Sequence, residues 1–68
     1  MKGFKFSEIL KELRNGAKIG QVALAEELGV SKAIISMWEN GLREPSMSNL
    51  IALSEYFGIS IDELVGLK

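Results

Sequence analysis

The sequence predicts an all-α fold, a single domain of five short helices spanning residues 1–68. Three observations lead to this prediction. Apolar residues recur at the three- and four-residue spacing of a helix and do not alternate as in a strand. Glycines and one proline interrupt this pattern at short intervals, without a linker or an internal repeat. Hydrophobic residues make up 47% of the chain, which suits a compact core.

The first two helices are predicted from this spacing and from the residues that end them. One runs from about Ser7 to Arg14 and is ended by Asn15-Gly16. The next covers about Gln21 to Leu28, and Gly29 follows it, where a left-handed residue stops the helix and turns the chain sharply. The apolar residues expected to face inward are Phe6, Ile9, Leu10 and Leu13 in the first helix and Val22, Ala25 and Leu28 in the second.

Serine residues mark the starts of the other three helices. Ser31, Ser46 and Ser60 each stand where a helix needs an N-cap. Ser60 and Glu63 also have the spacing of a capping box. The predicted helices that follow these serines are Lys32 to Asn40, ended by Gly41, then Met47 to Phe57, then a short one ending near Gly66.

The second and third helices form a predicted helix-turn-helix unit over about residues 21–40. Two helices joined by a three- to four-residue turn that contains glycine define this unit. Ala25 is small where the helices must cross closely, and Gly29 makes the turn. The side chains expected to fill the space between the helices are Leu28, Ile35 and Trp38. The combination indicates a DNA-binding domain, with a purely structural helix pair as the alternative.

Three runs of residues carry a more specific pattern. They are Gln21…Leu24-Ala25…Leu28-Gly29-Val30-Ser31, Ile35-Ser36…Trp38-Glu39-Asn40-Gly41 and Arg43-Glu44-Pro45. The pattern resembles the Xre/Cro-like helix-turn-helix family, which includes the N-terminal domains of lambdoid phage repressors, and it extends over about Phe6 to Leu67. The resemblance implies a lambda-repressor-like five-helix bundle whose third helix enters the major groove. It also implies a transcriptional regulator, a repressor, that binds a palindromic operator as a dimer.

One face of the third helix is expected to meet DNA. With Ile35 and Trp38 inward, a helical wheel places four residues on the opposite face, namely Ala33, Ser36, Met37 and Asn40. Lys32 flanks this face and can reach guanine O6 and N7 or a phosphate, while the methyl group of Ala33 suits a thymine methyl. The alternatives are a solvated lysine at position 32 and a methionine at position 37 that contacts a protein partner.

Further contacts are predicted around this face. Gln21 opens the second helix, where free backbone N–H groups and the helix dipole favour a phosphate. The resemblance implies that the matching glutamine also contacts DNA. The resemblance also implies phosphate contacts for Asn40 and Arg43, with plain solvent exposure as the alternative for Arg43. Arg14 and Glu39 match family positions that pair across the first and third helices, so we expect a structural ion pair that orients the third helix.

The sequence departs from the family at three points. Gly20 stands where Ser or Thr is common, so a hydroxyl that caps the second helix is missing. The third helix is unusually apolar at Ala33, Ile34 and Met37, without Gln, Asn or Arg among its base-reading positions. The net charge is −1, which predicts a weak electrostatic component of DNA binding.

Composition argues against several other functions. Cys and His are absent, which removes disulfides, thiol and imidazole catalysis and the usual zinc ligands. The adjacent acids Glu26-Glu27 and Asp62-Glu63 diverge on a helix and form no catalytic pair. We therefore expect no enzyme activity, cofactor, metal site or small-molecule ligand. No apolar run is long enough for a signal peptide or a membrane span, and a cytoplasmic location is expected.

Two functional hypotheses remain open. In the first, the chain is an operator-binding regulator that works as a homodimer. In the second, the apolar face of the third helix binds a protein partner, as in an antitoxin or antirepressor. Candidates for the dimer contact are the outer apolar residues near the C-terminus, namely Ile61, Val65 and Leu67. The sequence leaves four points open. They are the operator sequence, whether the regulator represses or activates transcription, whether its origin is a phage or a chromosome, and whether the chain is part of a longer regulator.

Overall fold

The computed structural model describes residues 5–67, which fold into five α-helices without a strand. In chain order the helices are α1 (Phe6–Gly16), α2 (Gln21–Leu28), α3 (Lys32–Glu39), α4 (Met47–Phe57) and α5 (Ile61–Val65). The predicted five-helix fold is confirmed, and the bounds of α2 and α4 agree with the prediction. Within residues 5–67 no helix combines the length and the apolar character that crossing a membrane requires.

All five helices contribute side chains to one apolar core. The rings of Phe6 and Trp38 meet edge to face with their centroids 6.1 Å apart, a favourable aromatic geometry that joins α1 to α3. The buried apolar side chains of the described residues are Phe6, Leu10, Leu24, Ala25, Ile35, Trp38, Leu50, Leu53, Leu64 and Val65. Because α3 supplies two of them, its inner face is fixed by packing and its outer face is left at the surface.

The predicted serine caps are present at α3, α4 and α5. Each serine hydroxyl accepts the backbone N–H three residues on, at 3.2 Å for Ser31, 3.2 Å for Ser46 and 3.0 Å for Ser60. At α5 the Glu63 carboxylate accepts the Ser60 backbone N–H at 3.2 Å, which completes the predicted capping box. These bonds satisfy N–H groups that have no partner inside the helix, and they fix where each helix begins.

The prediction that Asn15-Gly16 ends the first helix is wrong. Helix α1 continues through Gly16, and the left-handed residue after it is Lys18, with φ of 57°. The later end of α1 is caused by contacts in the tertiary structure. The Arg14 guanidinium donates to the carbonyl oxygen of Ile19 at 3.0 Å, and Ile19 packs against the core, so the chain between them follows the path that this docking requires.

The expected inward orientation of Val22 is also wrong. Its side chain is 56% exposed, whereas Leu24 is fully buried and Ala25 is 3% exposed. On a helix the direction of residue 22 lies well away from the face shared by residues 24, 25 and 28. Packing of α2 on α3 and α4 selects that face, so Val22 is left on the solvent side.

The three candidates for a dimer contact separate in the structure. Val65 is 5% exposed, because α5 packs against the start of α1 and the Val65 carbonyl accepts the Lys5 backbone N–H at 3.1 Å. Ile61 is half-buried against the core. Only Leu67 of the three is well exposed, at 60%. Val65 is therefore a core residue, and its proposed outer position is corrected.

Candidate nucleic-acid interface

The turn between α2 and α3 is held by backbone geometry. Gly29 has φ of +70°, a left-handed conformation that residues with a side chain rarely adopt. The N–H of Val30, the next residue, donates to the carbonyl of Ala25 at 3.0 Å, and the Ser31 hydroxyl then caps α3. Together with the close packing of Ala25, these bonds set α3 rigidly against α2.

The outer face of α3 holds the residues that the sequence assigned to DNA. Lys32 and Ala33 are exposed at the start of the helix, and Ser36 and Met37 are half-buried along it. Ile35 and Trp38 lie on the opposite side at 0% and 1% exposure. The face is thus a short strip with one positive charge at its N-terminal end and small or apolar groups behind it.

Asn40, at the end of this strip, also has a structural role. Helix α3 ends at Glu39, one residue before the predicted end, and Asn40 is its C-cap residue. The Asn40 side-chain amide donates to the Ser36 backbone carbonyl at 2.9 Å and lies 3.4 Å from the Ser36 hydroxyl oxygen. Since its N–H group is turned back onto its own helix, Asn40 closes the end of α3.

An ion-pair network fixes the other end of the site. The Arg14 guanidinium donates to the Glu39 carboxylate through Nε at 2.6 Å and through Nη2 at 3.1 Å. A third bond comes from the Gln21 amide, whose Nε2 lies 3.1 Å from Glu39 Oε1. The side chains of Arg14 and Glu39 are 14% and 3% exposed. The carboxylate thereby connects the end of α3 with α1 and with the first residue of α2.

Both partners of the ion pair are charged at neutral pH. Burial on its own raises the pKa of the Glu39 carboxyl group. The hydrogen bonds from Arg14 and Gln21, together with the nearby positive charges, lower this pKa by a larger amount. The net pKa of Glu39 therefore lies below its ordinary value. The hydrogen bond to Glu39 raises the pKa of Arg14 more than burial lowers it.

The start of α2 is open to an anion. Gly20 occupies the N-cap position and contributes no side-chain hydrogen bond, so the first N–H groups of α2 lack the acceptor that a serine would supply. Gln21 is half-buried at this point. The structure brings Gln21 to the expected place, but with one N–H of its amide already bound to Glu39.

Arg43 lies beside a groove next to the N-terminal end of α3. The groove has a volume of about 450 Å³ and runs between the N-caps of α3 and α4, Ser31 and Ser46. Arg43 is exposed and lines this groove together with Ser31, the N-cap of α3, and Trp38 near the other end of that helix. The apolar groups that line the groove are Val30, Ile34, Trp38 and Pro45.

Sequence reasoning did not predict the bond between Gln21 and Glu39 or the groove. The two residues are 18 positions apart, and helical periodicity describes only neighbours on the same helix. The resemblance singled out each residue separately, and only the docking of three helices brings them together.

The helix-turn-helix family matches residues 10–64 of the chain, a range that contains α2, the turn and α3 entire. The chain belongs to the Xre/Cro-like helix-turn-helix family. Among curated relatives, it is 44% identical over 61 residues to the transcriptional activator BcrR of Enterococcus faecalis, covering 90% of this chain and 30% of that protein. It is 41% identical over 58 residues to repressor protein C2 of Salmonella phage P22, covering 85% of this chain and 27% of that protein.

Solved structures of the family have the same fold. A transcriptional regulator from Listeria innocua superposes with a TM-score of 0.90 at 35% identity, covering 93% of this chain and 59% of that one. The P22 c2 repressor, in complex with a synthetic operator, superposes with a TM-score of 0.83 at 40% identity, covering 88% of this chain and 91% of that one. The chain spans 30%, 52%, 27% and 55% of the length of four curated relatives in the family.

Proposed function

We propose that the chain binds double-stranded DNA sequence-specifically, with the outer face of α3 in the major groove, and regulates transcription. The observation that carries the proposal is the outer strip of α3, which the glycine turn holds against α2 and the Arg14–Glu39 pair holds against α1. The 40% identity to a repressor solved in complex with a synthetic operator supports DNA binding. Such a regulator acts in the bacterial cytoplasm, and its role is binding and not catalysis.

The chemistry of the strip suggests how bases are read. Lys32 donates to guanine O6 and N7 or to a phosphate at the start of α3. Ala33 and Met37 offer apolar contact to thymine methyl groups, and Ser36 can donate or accept a hydrogen bond. With one charged side chain on the strip, specificity depends on apolar contacts and on the sequence-dependent shape of the DNA.

The remaining contacts position the domain on the sugar-phosphate backbone. Gln21 and the free N–H groups of α2 bind one phosphate, and Arg43 binds another near the start of α3. One domain of this size reads few base pairs, so we propose a homodimer on a palindromic operator with half-sites about one helical turn apart. We propose that the mode of regulation is repression, because binding to the operator is by itself enough to block transcription.

A selection experiment tests the proposed function. The purified chain is incubated with a randomised duplex library at low salt, and the bound DNA is recovered and sequenced over several rounds. We expect enrichment of a palindromic site. A folded protein that enriches no sequence contradicts the proposal and favours a protein partner on the α3 face.

A matched pair of lysine variants tests the assigned face on the enriched site. Lys32→Ala removes the charge at the start of α3 and is expected to weaken binding by about 1–3 kcal/mol, measured by fluorescence anisotropy. Lys5→Ala removes an exposed lysine at the start of α1, beside Val65, and is expected to leave the affinity unchanged. Equal losses for the two variants would show that general positive charge, and not the α3 face, accounts for binding.

A further inference from the structure

The Gln21 amide has a defined orientation, because its partner can only accept hydrogen bonds. Glu39 is ionised and offers oxygen acceptors, so the group that lies 3.1 Å from Oε1 is the amide NH₂ and not the amide carbonyl. An NH₂ group carries two N–H donors, and Glu39 uses one of them. The second N–H of Gln21 has no acceptor within residues 5–67, and the side chain is only half-buried.

The environment of this second N–H suits a phosphate oxygen. It belongs to the first residue of α2, an eight-residue helix whose N-cap glycine supplies no side-chain acceptor. The carboxylate behind it would repel a phosphate if its charge were free. However, Arg14 neutralises that charge through two hydrogen bonds, at 2.6 and 3.1 Å. Without the bond to Glu39, the amide could rotate and present its carbonyl oxygen, which a phosphate repels.

We propose that Glu39 is a positioning residue for DNA binding, which holds the Gln21 amide so that its free N–H is presented to a phosphate at the start of α2. This role rests on the proposed DNA-binding function. It differs from the general packing role of the ion pair, because it predicts that Glu39 affects DNA affinity through one other side chain. Arg14 supports the arrangement by neutralising the carboxylate and by binding the Ile19 carbonyl at 3.0 Å.

A double-mutant cycle on DNA affinity tests the proposal. The wild-type chain, Gln21→Ala, Glu39→Gln and the double variant are titrated into the selected operator under conditions where circular dichroism shows each protein to be folded. Each single change is expected to reduce affinity by on the order of ten-fold, since a hydrogen bond to a charged group is lost or misdirected. The double variant is expected to bind no more weakly than Gln21→Ala alone. If the two losses multiply, Glu39 acts independently of Gln21 and the proposal is overturned.

A second measurement covers the case in which Glu39→Gln does not fold. In the ¹⁵N-labelled wild-type chain, the two Nε2 protons of Gln21 give separate NMR signals. We expect operator DNA to shift one of them strongly, while the other keeps its shift as the donor to Glu39. Movement of both signals together, or of neither, overturns the proposal. A wild-type chain that binds no DNA in either experiment refutes the proposed function itself, which distinguishes the two failures.

Discussion

Glu39 shows how one side chain connects the stability of the fold to the geometry of the site. Its carboxylate is 3% exposed, and a buried charge is tolerated only when hydrogen bonds replace the lost water. Arg14 and Gln21 supply three such bonds. The same bonds lower its pKa, so the carboxylate contributes stability in its charged form.

This arrangement predicts how stability depends on pH. Because the folded pKa of Glu39 is lowered, its contribution is fully present above the ordinary glutamate pKa of 4.5 and is lost as the pH falls through the folded value. Glu39→Gln is expected to lower the free energy of unfolding at neutral pH by roughly 1–3 kcal/mol. Urea unfolding at neutral pH and at about pH 3 measures the difference between the proteins, which should shrink in acid. A difference that is constant with pH would contradict the role assigned to the charge.

Two glycines give opposite predictions when each is replaced by alanine. Gly16 is the last residue of α1, its φ is not positive and an added Cβ there meets nothing within 4 Å, so Gly16→Ala should raise the free energy of unfolding by about 0.4–1 kcal/mol. Gly29 has φ of +70°, so Gly29→Ala should lower it by about 1–2 kcal/mol although the space is open. Chemical denaturation of both variants measures the two effects. Destabilisation by Gly16→Ala would show that α1 ends earlier, near Asn15.

At the scale of elements, the N-caps decide where helices begin. Gly20 has φ of −77° and ψ of 166°, close to the values of the serine caps Ser31, Ser46 and Ser60. A serine at position 20 would therefore fit without strain, and an added Cβ meets nothing within 4 Å. Helix α2 lacks a side-chain cap because of residue type and not because of backbone geometry.

This comparison predicts the outcome of a cap exchange. Gly20→Ser should raise the free energy of unfolding by a few tenths of a kcal/mol, about the margin by which serine exceeds glycine as a cap. Ser31→Ala, which removes an existing cap on α3, should lower it by about 1 kcal/mol. Thermal unfolding of the two variants beside the wild type measures both changes. A loss of stability in Gly20→Ser would mean that the start of α2 cannot accept a local side-chain cap.

Local signals predicted most of the elements, and tertiary contacts account for the errors. Capping serines and Gly29 act within a few residues, so the starts of α3 to α5 and the turn followed from the sequence. The end of α1 and the exposure of Val22 depend on which surfaces dock, and periodicity within one helix carries no information on that. For the same reason the ion pair of Arg14 with Glu39 could be inferred only from the family resemblance, and the third partner Gln21 was missed.

At the scale of the whole molecule, charge balance sets the expected character of DNA binding. The chain has eight basic and nine acidic residues, and its net charge is −1. Affinity for DNA that comes from phosphate neutralisation scales with the number of lysines and arginines at the interface. Because the proposed interface has only two cationic side chains, Lys32 and Arg43, we expect a shallow dependence of affinity on salt.

The salt dependence can be tested at a single residue. Arg43→Ala should reduce the slope of log affinity against log salt concentration by about 1, because one counterion fewer is released on binding. Lys5→Ala should leave the slope unchanged. Anisotropy titrations of the selected operator at four or more salt concentrations give the slopes for both variants. An unchanged slope in Arg43→Ala would mean that Arg43 is solvated and does not bind a phosphate of the operator.

Mapping the DNA-binding surface by NMR tests directly whether α3 reads DNA. The ¹⁵N-labelled chain is titrated with the selected operator, and backbone amide shifts are followed for every residue. We expect large shifts along α3 from Lys32 to Met37, at Gln21 and at Arg43. Shifts should be small on the solvent face of α4 around Ile51, which is 45% exposed. Shifts centred on α4, with α3 unaffected, would contradict the claim that the outer face of α3 reads DNA.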